Sequence, residues 1–327
     1  MHVMIIGAAG MVGRKLANEI AAAPESMGGS GAQSLTLVDV IAPEAPCGFS
    51  GRVEAISADI SDPNVFPSLI ASRPDIIFHL AAIVSGEAEL DFEKGYAINL
   101  DATRYLLEAI RRQGEAAPYK PRVVFTSSIA VFGAPFPERI DDEFFLTPRT
   151  SYGTQKAIGE LLLADYTRRG FLDGIGIRLP TVCIRPGLPN KAASGFFSNI
   201  LREPLVGKEA ILPVDDTVRH WHVSPRRAVG FLIHAATLDL QLLGHRCILN
   251  MPGLSATVGE QIEALRRAAG DKVVALIRRE RDPLIAKIVD SWPQDFNARR
   301  AQELGFVADT SFDEIIRIHM NDELGQG

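Results

Sequence analysis

Two hydrophobic periodicities alternate along the first half of the chain. Short, almost wholly apolar runs recur at Val3–Ile6, Leu35–Val38, Asp75–Leu80, Arg122–Phe125 and Gly174–Leu179, with Val53–Ser57 in the same series. Runs such as Val3–Ile6 and Asp75–Leu80 predict buried strands of a parallel sheet, Val3–Ile6 covered on both faces. Between them apolar residues recur at helical spacing, as Leu16, Ala17 and Ile20 after the first run and as a long helical pattern over Glu89–Arg112 that Gly114–Pro121 breaks. Ser61-Asp62-Pro63 supplies capping residues and a proline that open a further helix. Pro24–Ser34 is small, polar and glycine-rich, and predicts an exposed loop. Beyond Pro186 the alternation is lost; helical spacing returns over Glu260–Leu265, a closing helix is expected over Ala301–His319, and Val273–Trp292 carries no recognisable chemistry. The pattern predicts an α/β fold: a doubly wound parallel sheet over residues 1–180, and a smaller C-terminal α/β lobe over 181–327 from which the chain can cross back.

Composition narrows the class. Hydrophobic residues make up 46% and charged residues 23%, ordinary for a globular protein, and a net charge of −6 disfavours nucleic acid or an anionic membrane as partner. Cys47, Cys183 and Cys247 are isolated thiols with no ligand spacing, so neither a disulfide framework nor a metal site is expected. The first residues run directly into a glycine loop, leaving no room for a signal segment, and no apolar run approaches the ~20 residues of a membrane span. A cytoplasmic, reducing setting is the expectation.

The candidate chemistry lies at strand ends. The first strand stops at Gly7-Ala8-Ala9-Gly10-Met11-Val12-Gly13, where glycines let backbone N–H groups at a helix N-terminus face a pyrophosphate. Asp39 ends the second strand, placed to accept bonds from an adenosine ribose; with Val40 and Ile41 following and no Arg or Lys, NAD is preferred over NADP. Asp59, followed by Ile60, either accepts from the adenine amino group or terminates a strand. His79 lies inside an apolar run and reads as a core histidine. Beyond Leu80, Ala81 and Ala82 are small enough to let a flat ring lie against the backbone, which makes Leu80, Ala81 and Ala82 candidate cofactor contacts, and Asn99 either bonds core backbone or lines the cofactor site. Ser128 ends the fifth strand. In Ser151-Tyr152-Gly153-Thr154-Gln155-Lys156 the phenol and the ammonium lie one helical turn apart, on one face, where a cation favours the phenolate.

Together, G7-A-A-G-M-V-G13, Asp39, Asp59, H79-L-A-A82, Asn99, T126-S-S-I-A-V-F-G133 and Y152-G-T-Q-K156 resemble the extended short-chain dehydrogenase/reductase family, up to about residue 190. The resemblance implies a Rossmann sheet with a substrate lobe, NAD as cofactor, and a dimer formed through Asn99–Arg112 and Tyr152–Arg169. It implies that Ser128 polarises the substrate oxygen, Tyr152 exchanges its proton, and Lys156 lowers the tyrosine pKa and holds the nicotinamide ribose. Ser127 is the substitute if Ser128 proves dispensable. Leu179, Pro180 and Val182 fall where the family lays backbone against the nicotinamide. The chain departs from the nucleotide-sugar enzymes of that family: Thr181 stands where they carry Asn, and Asn190-Lys191-Ala192-Ala193-Ser194-Gly195-Phe196-Phe197 lacks the pattern expected around a nucleotide diphosphate.

R178-L-P-T, R185-P-G, N190-K-A-A-S and R219-H-W resemble instead the subgroup that oxidises D-erythronate, which implies a four-carbon sugar acid as substrate. Such an acid needs a cation for its carboxylate, for which Arg185 and Arg219 are the candidates, and hydroxyl partners such as Thr181 and Ser85. Trp221 is read as core packing. A nucleotide-sugar epimerase or dehydratase, and a non-catalytic NAD-binding regulator, are the rival readings.

Overall fold

The computed structural model describes residues 1–187 and 193–325. Its first half comprises β1 (His2–Ile6), α1 (Met11–Ala22), β2 (Ser34–Asp39), β3 (Arg52–Ser57), α2 (Val65–Ala71), β4 (Ile76–His79), α3 (Ser85–Leu90), α4 (Phe92–Tyr96), α5 (Ala102–Ala116), β5 (Arg122–Ser128), α6 (Ser151–Arg168) and β6 (Asp173–Leu179). The remainder adds β7 (Thr181–Val182), α7 (Gly195–Leu205), β8 (Ala210–Leu212), β9 (Arg219–Val223), α8 (Pro225–Thr237), β10 (Ile248–Asn250), β11 (Leu254–Thr257), α9 (Val258–Ala269), α10 (Asp271–Val274), β12 (Ile277–Arg279), α11 (Pro283–Val289), α12 (Arg299–Glu303) and α13 (Phe312–Leu324).

Each apolar run becomes a strand of one sheet, ordered β10-β6-β5-β4-β1-β2-β3, and every pairing in it is parallel. The period of two along β1 explains how both faces fill. Val3 and Ile5 pack toward Leu16 and Ile20 of α1 and Phe231 and Leu232 of α8, whereas Met4 and Ile6 pack toward Phe66 of α2 and Leu106 and Ile110 of α5. The winding reverses between β1 and β4, and ligands of such sheets bind in the crevice outside that point.

A seventh strand was not foreseen. The alternation does not end at Pro186: α8 packs beside α1 on one face of the sheet, and β10 pairs with Gly176–Arg178 at its edge. Three residues are too few to carry a periodicity. Other expectations also need correcting. The helix expected at Pro63 starts at Val65, because Asp59 and Asp62 spend their carboxylates on turns to Ser61 and Asn64. Pro24–Ser34 is not simply exposed: Pro24–Met27 forms a tight turn that buries Met27, and Ala32 is buried too. The long pattern at Glu89–Arg112 is split into α3, α4, a π turn at Ala97–Asp101 and α5, with Asp91 capping α4. The apolar run Arg122–Phe125 continues through Thr126 and Ser127 to the strand end at Ser128. Ala301–His319 holds the end of α12 and most of α13, parted at Gly305, whose φ is +89°.

The remaining strands form a three-stranded sheet, β11-β9-β7, and a pair, β12-β8, around a separate core that includes Phe197, Leu212, Ile262, Leu265 and Ile316. The helical spacing at Glu260–Leu265 lies in α9, which opens on a reciprocal cap between Thr257 and Glu260. Trp221 is buried against Phe296, its indole N–H donating to the Met251 carbonyl. Among the described residues no helix is long and apolar enough to cross a membrane.

Candidate active site

The glycine loop is built without room for side chains. A Cβ at Gly7, whose φ is +95°, would lie 2.6 Å from the Ala81 nitrogen, and one at Gly13 would lie 2.1 Å from the Gly7 carbonyl oxygen. α1 starts at Met11 and Val12, and Gly10 before it offers no side-chain cap, so the first-turn N–H groups are left for an anion. Asp39 leans over this loop. Its Oδ2 accepts from the Ala9 N–H at 2.9 Å and its Oδ1 from the Val40 N–H at 2.8 Å, while Val40 and Ile41 are exposed beside it. A carboxylate with an uncharged, apolar flank suits ribose hydroxyls and an adenine face, so these residues fit NAD.

The floor of the crevice comes from the turn after β4. Leu80 and Ala81 donate to the Ile6 carbonyl, which brings them directly beneath Gly7, with Ala82 next on the exposed rim. Asn99, on the π turn, is almost fully buried; its Oδ1 accepts from the Ile83 N–H, and its Nδ2 donates to the Ile83 carbonyl and to Gln155 Oε1 at 2.8 Å. Asn99 thus bonds the backbone of the loop after β4, as one of its two sequence readings expects. Ser85 opens α3 on the loop that Asn99 holds. Asp59 lies in the turn after β3, held below the usual carboxylate range by the Ser61 hydroxyl and N–H, and Ile60 beside it is buried. His79 is a core residue: its ring bonds Thr103, and burial pushes it down to about 3.

β5 ends in two serines that face different ways, as neighbours on a strand must. Ser127 is buried and bonded to Glu160, which in turn holds Arg178 through bonds of 2.9 and 2.7 Å. Ser128 Oγ accepts from the Ala130 N–H at 3.1 Å, and its hydroxyl is near enough to the Tyr152 phenol to favour the phenolate. Tyr152 lies in the first turn of α6, which Thr150 caps by accepting from the Gly153 N–H. Burial raises the phenol above its ordinary range, and the Arg185 guanidinium and the Ser128 hydroxyl oppose that rise. Lys156, fully buried one turn on, donates to the Thr126 carbonyl at 2.8 Å and lies 5.8 Å from the Tyr152 ring centre. Burial lowers its ammonium to about 8, against the pull of Glu160.

β6 delivers the far wall. Leu179 pairs with Ser128, Pro180 and Val182 are buried beyond it, and Thr181 Oγ1 lies 2.7 Å from His220 Nε2. The two candidate arginines differ. Arg219 donates to the Ser255 carbonyl and lies 3.4 Å from Glu260, committed to the cap of α9. Arg185 donates to the Val182 carbonyl and to Ser194 Oγ, and has no carboxylate partner among the described residues. Asn190, Lys191 and Ala192 lie outside the described residues. Four residues that bond the candidate site residues or brace their strand were given no role by the sequence: His220, Gln155, Glu160 and Arg178. His220 and His222, two apart on β9, carried a signal, since a strand puts both on one face.

The model of the NAD dependent epimerase/dehydratase family matches residues 3–225. D-erythronate dehydrogenase of Cupriavidus necator is 47% identical over 98% of each chain, and D-erythronate dehydrogenase of Haemophilus influenzae is 42% identical over 97% of this chain and 98% of its own. A crystal structure described as the nucleoside-diphosphate-sugar epimerase from Agrobacterium tumefaciens is 66% identical, covers 100% of this chain and 95% of its own, and superposes with a TM-score of 0.97.

Proposed function

The chain belongs to the NAD-dependent epimerase/dehydratase family of extended short-chain dehydrogenases, and on that premise we propose that it oxidises the C2 hydroxyl of a four-carbon sugar acid of the D-erythronate kind to a 2-keto acid. The observation that carries this reading is Arg185: a half-buried guanidinium with its charge near Tyr152 and no carboxylate partner among the described residues. A planar guanidinium drawn out of water gains from an anion that takes two parallel bonds, and a sugar-acid carboxylate is such an anion. The 47% and 42% identical relatives, both named D-erythronate dehydrogenase, support the same substrate class.

In this scheme Arg185 holds the carboxylate, which turns C2 toward Ser128 and Tyr152. The Ser128 hydroxyl donates to the C2 oxygen and Tyr152 accepts the proton of the C2 hydroxyl, its phenolate favoured by the positive charge of Arg185 against the rise that burial imposes, while Lys156 holds the nicotinamide ribose. Thr181 and Ser85 meet the remaining hydroxyls. Gly7, Gly10, Met11, Val12 and Gly13 hold the pyrophosphate of NAD and Asp39 its adenosine ribose; NAD, when bound, supplies the hydride acceptor. Tyr152→Phe tests the scheme by NADH formation from NAD and D-erythronate. A positioned base contributes about 10²–10⁴-fold, so turnover falls by that factor while NAD affinity stays within about twofold. Retention of more than a tenth of turnover would remove Tyr152 as the base.

A second reading is favoured by the name of the 66% identical structure, a nucleoside-diphosphate-sugar epimerase. An epimerase reduces and reoxidises its nicotinamide within one cycle. With sugar nucleotides it interconverts epimers without accumulating NADH, whereas the sugar-acid reading requires one NADH per acid consumed.

A further inference from the structure

His220 of β9 is 2% exposed and walled by rings: Phe197 lies parallel to it at 5.1 Å, Trp292 at 5.2 Å and His222 edge-on at 5.3 Å. Both ring nitrogens have partners. Nδ1 is 3.0 Å from the Pro293 carbonyl oxygen, and Nε2 is 2.7 Å from Thr181 Oγ1. A carbonyl has no proton to give, so the hydrogen of a neutral ring must sit on Nδ1. The ring stays neutral because it is buried among aromatics with the Arg185 charge nearby, which holds it down to about 3. Nε2 therefore carries only a lone pair, and Thr181 spends its single hydroxyl proton on it. What Thr181 has left to offer is two lone pairs.

Thr181 lies two residues past Leu179, the partner of Ser128, and is only partly buried, at the end of the strand that walls the crevice. A hydroxyl locked as an acceptor attracts a donor and repels an anion. Thr181 thus discriminates between the two kinds of oxygen that a sugar acid carries.

We propose that His220 is a positioning residue that fixes Thr181 as a pure hydrogen-bond acceptor for a substrate hydroxyl beyond C2, so that the enzyme selects polyhydroxy acids over deoxy acids of equal length. The substrate clause rests on the sugar-acid reading; the polarity of the Thr181–His220 bond does not.

Two measurements on the full chain separate these clauses. In ¹⁵N-histidine NMR, with His220 identified by the signal lost in His220→Gln, Nδ1 is protonated, Nε2 is not, and neither changes between pH 5.5 and 8. A ring protonated on Nε2, or titrating near ~6.5, overturns the proposal. In kinetics the readout is the ratio of kcat/KM for D-erythronate to that for 2-hydroxybutyrate, which lacks the hydroxyls at C3 and C4. His220→Phe keeps the aromatic stack and lowers that ratio about tenfold, chiefly through KM, whereas His220→Gln, which can still accept from Thr181 and donate to Pro293, restores it to within about threefold. Thr181→Val gives the same loss and serves if His220→Phe fails to fold. An unchanged ratio, with both acids slowed alike, leaves His220 a purely structural role and overturns the proposal. If neither acid is oxidised by the wild type, the sugar-acid reading and its substrate clause fall together, and the NMR result still decides the polarity.

Discussion

Gly153→Ala isolates the geometry of the Ser128–Tyr152 pair without touching either residue. A Cβ at Gly153 would lie 2.2 Å from the Ala130 carbonyl oxygen and 3.0 Å from its carbon. Carbon and oxygen normally approach to no less than ~3.3 Å, so the start of α6 and the turn after β5 must part by about 1 Å. That turn is fastened to Ser128 through the Ala130 N–H, and Tyr152 immediately precedes Gly153, so the displacement falls between hydroxyl and phenol. A misplacement of ~1 Å at reacting groups costs about 100-fold in rate, or about 2.7 kcal/mol of transition-state stabilisation. Overpacking of this kind destabilises a fold by ~1–3 kcal/mol, and the better helix propensity of alanine returns up to about 1 kcal/mol. The variant therefore folds, melts a few degrees lower, binds NAD within about threefold of wild type, and turns over about 100-fold more slowly. Steady-state NADH formation with D-erythronate, an NAD titration and a thermal melt cover the three quantities. Gly230→Ala on α8, where nothing lies within 4 Å of the new carbon, is the control and leaves kcat unchanged. A Gly153→Ala enzyme within fivefold of wild-type turnover would refute the assignment of Ser128 and Tyr152 as the reacting pair.

Three further outcomes are expected. Gly13→Ala drives a carbon to 2.1 Å from the Gly7 carbonyl oxygen and 2.8 Å from the Ala8 Cα, backbone that cannot yield, so NAD affinity falls at least about tenfold in a titration while the far-UV circular dichroism is retained. Glu160→Ala strands Arg178, whose side chain is only 11% exposed, and costs about 3–5 kcal/mol in urea unfolding, more than the double replacement of Glu160 and Arg178 by methionine. Lys156 is held near 8 in the fold against an ordinary 10.5, so between those values the unfolded chain binds a proton that the folded chain does not. Stability then rises with pH across that window, by on the order of 3 kcal/mol. Urea midpoints at pH 8 and pH 10 check this, and Lys156→Met should flatten the rise; equal slopes in both proteins would contradict it.

The sheet was legible because a strand buried on both faces has no choice but to be apolar, and Val3–Ile6, Asp75–Leu80 and Gly174–Leu179 all obey. Gly7, Asp39 and Ser128 stand where apolar runs stop, at the strand ends that border the crevice of such a fold. Features that depend on partners distant in sequence were not legible. Arg185 and Arg219 look alike as letters, and only tertiary contacts commit one to Glu260 and leave the other, its charge felt by Tyr152, without a carboxylate partner among the described residues. The π turn at Ala97–Asp101 is hidden because apolar spacing continues through it, although Asp91 before it was a readable cap. The orientation of His220 is set by a carbonyl 73 residues away, a pairing no local pattern records.

The position of β10 has a consequence for synthesis. The edge of β6 that it covers, Gly176–Arg178, waits for Ile248–Asn250 to be made, and the Arg178 guanidinium waits with it for Asn250. At ~5–20 residues per second, roughly seventy further residues leave that ribbon bare for several seconds on the ribosome. An unpaired parallel edge is a template for strands of neighbouring nascent chains. Truncations that stop short of residue 250 prolong that hazard indefinitely, and they are expected to aggregate while the full-length chain does not.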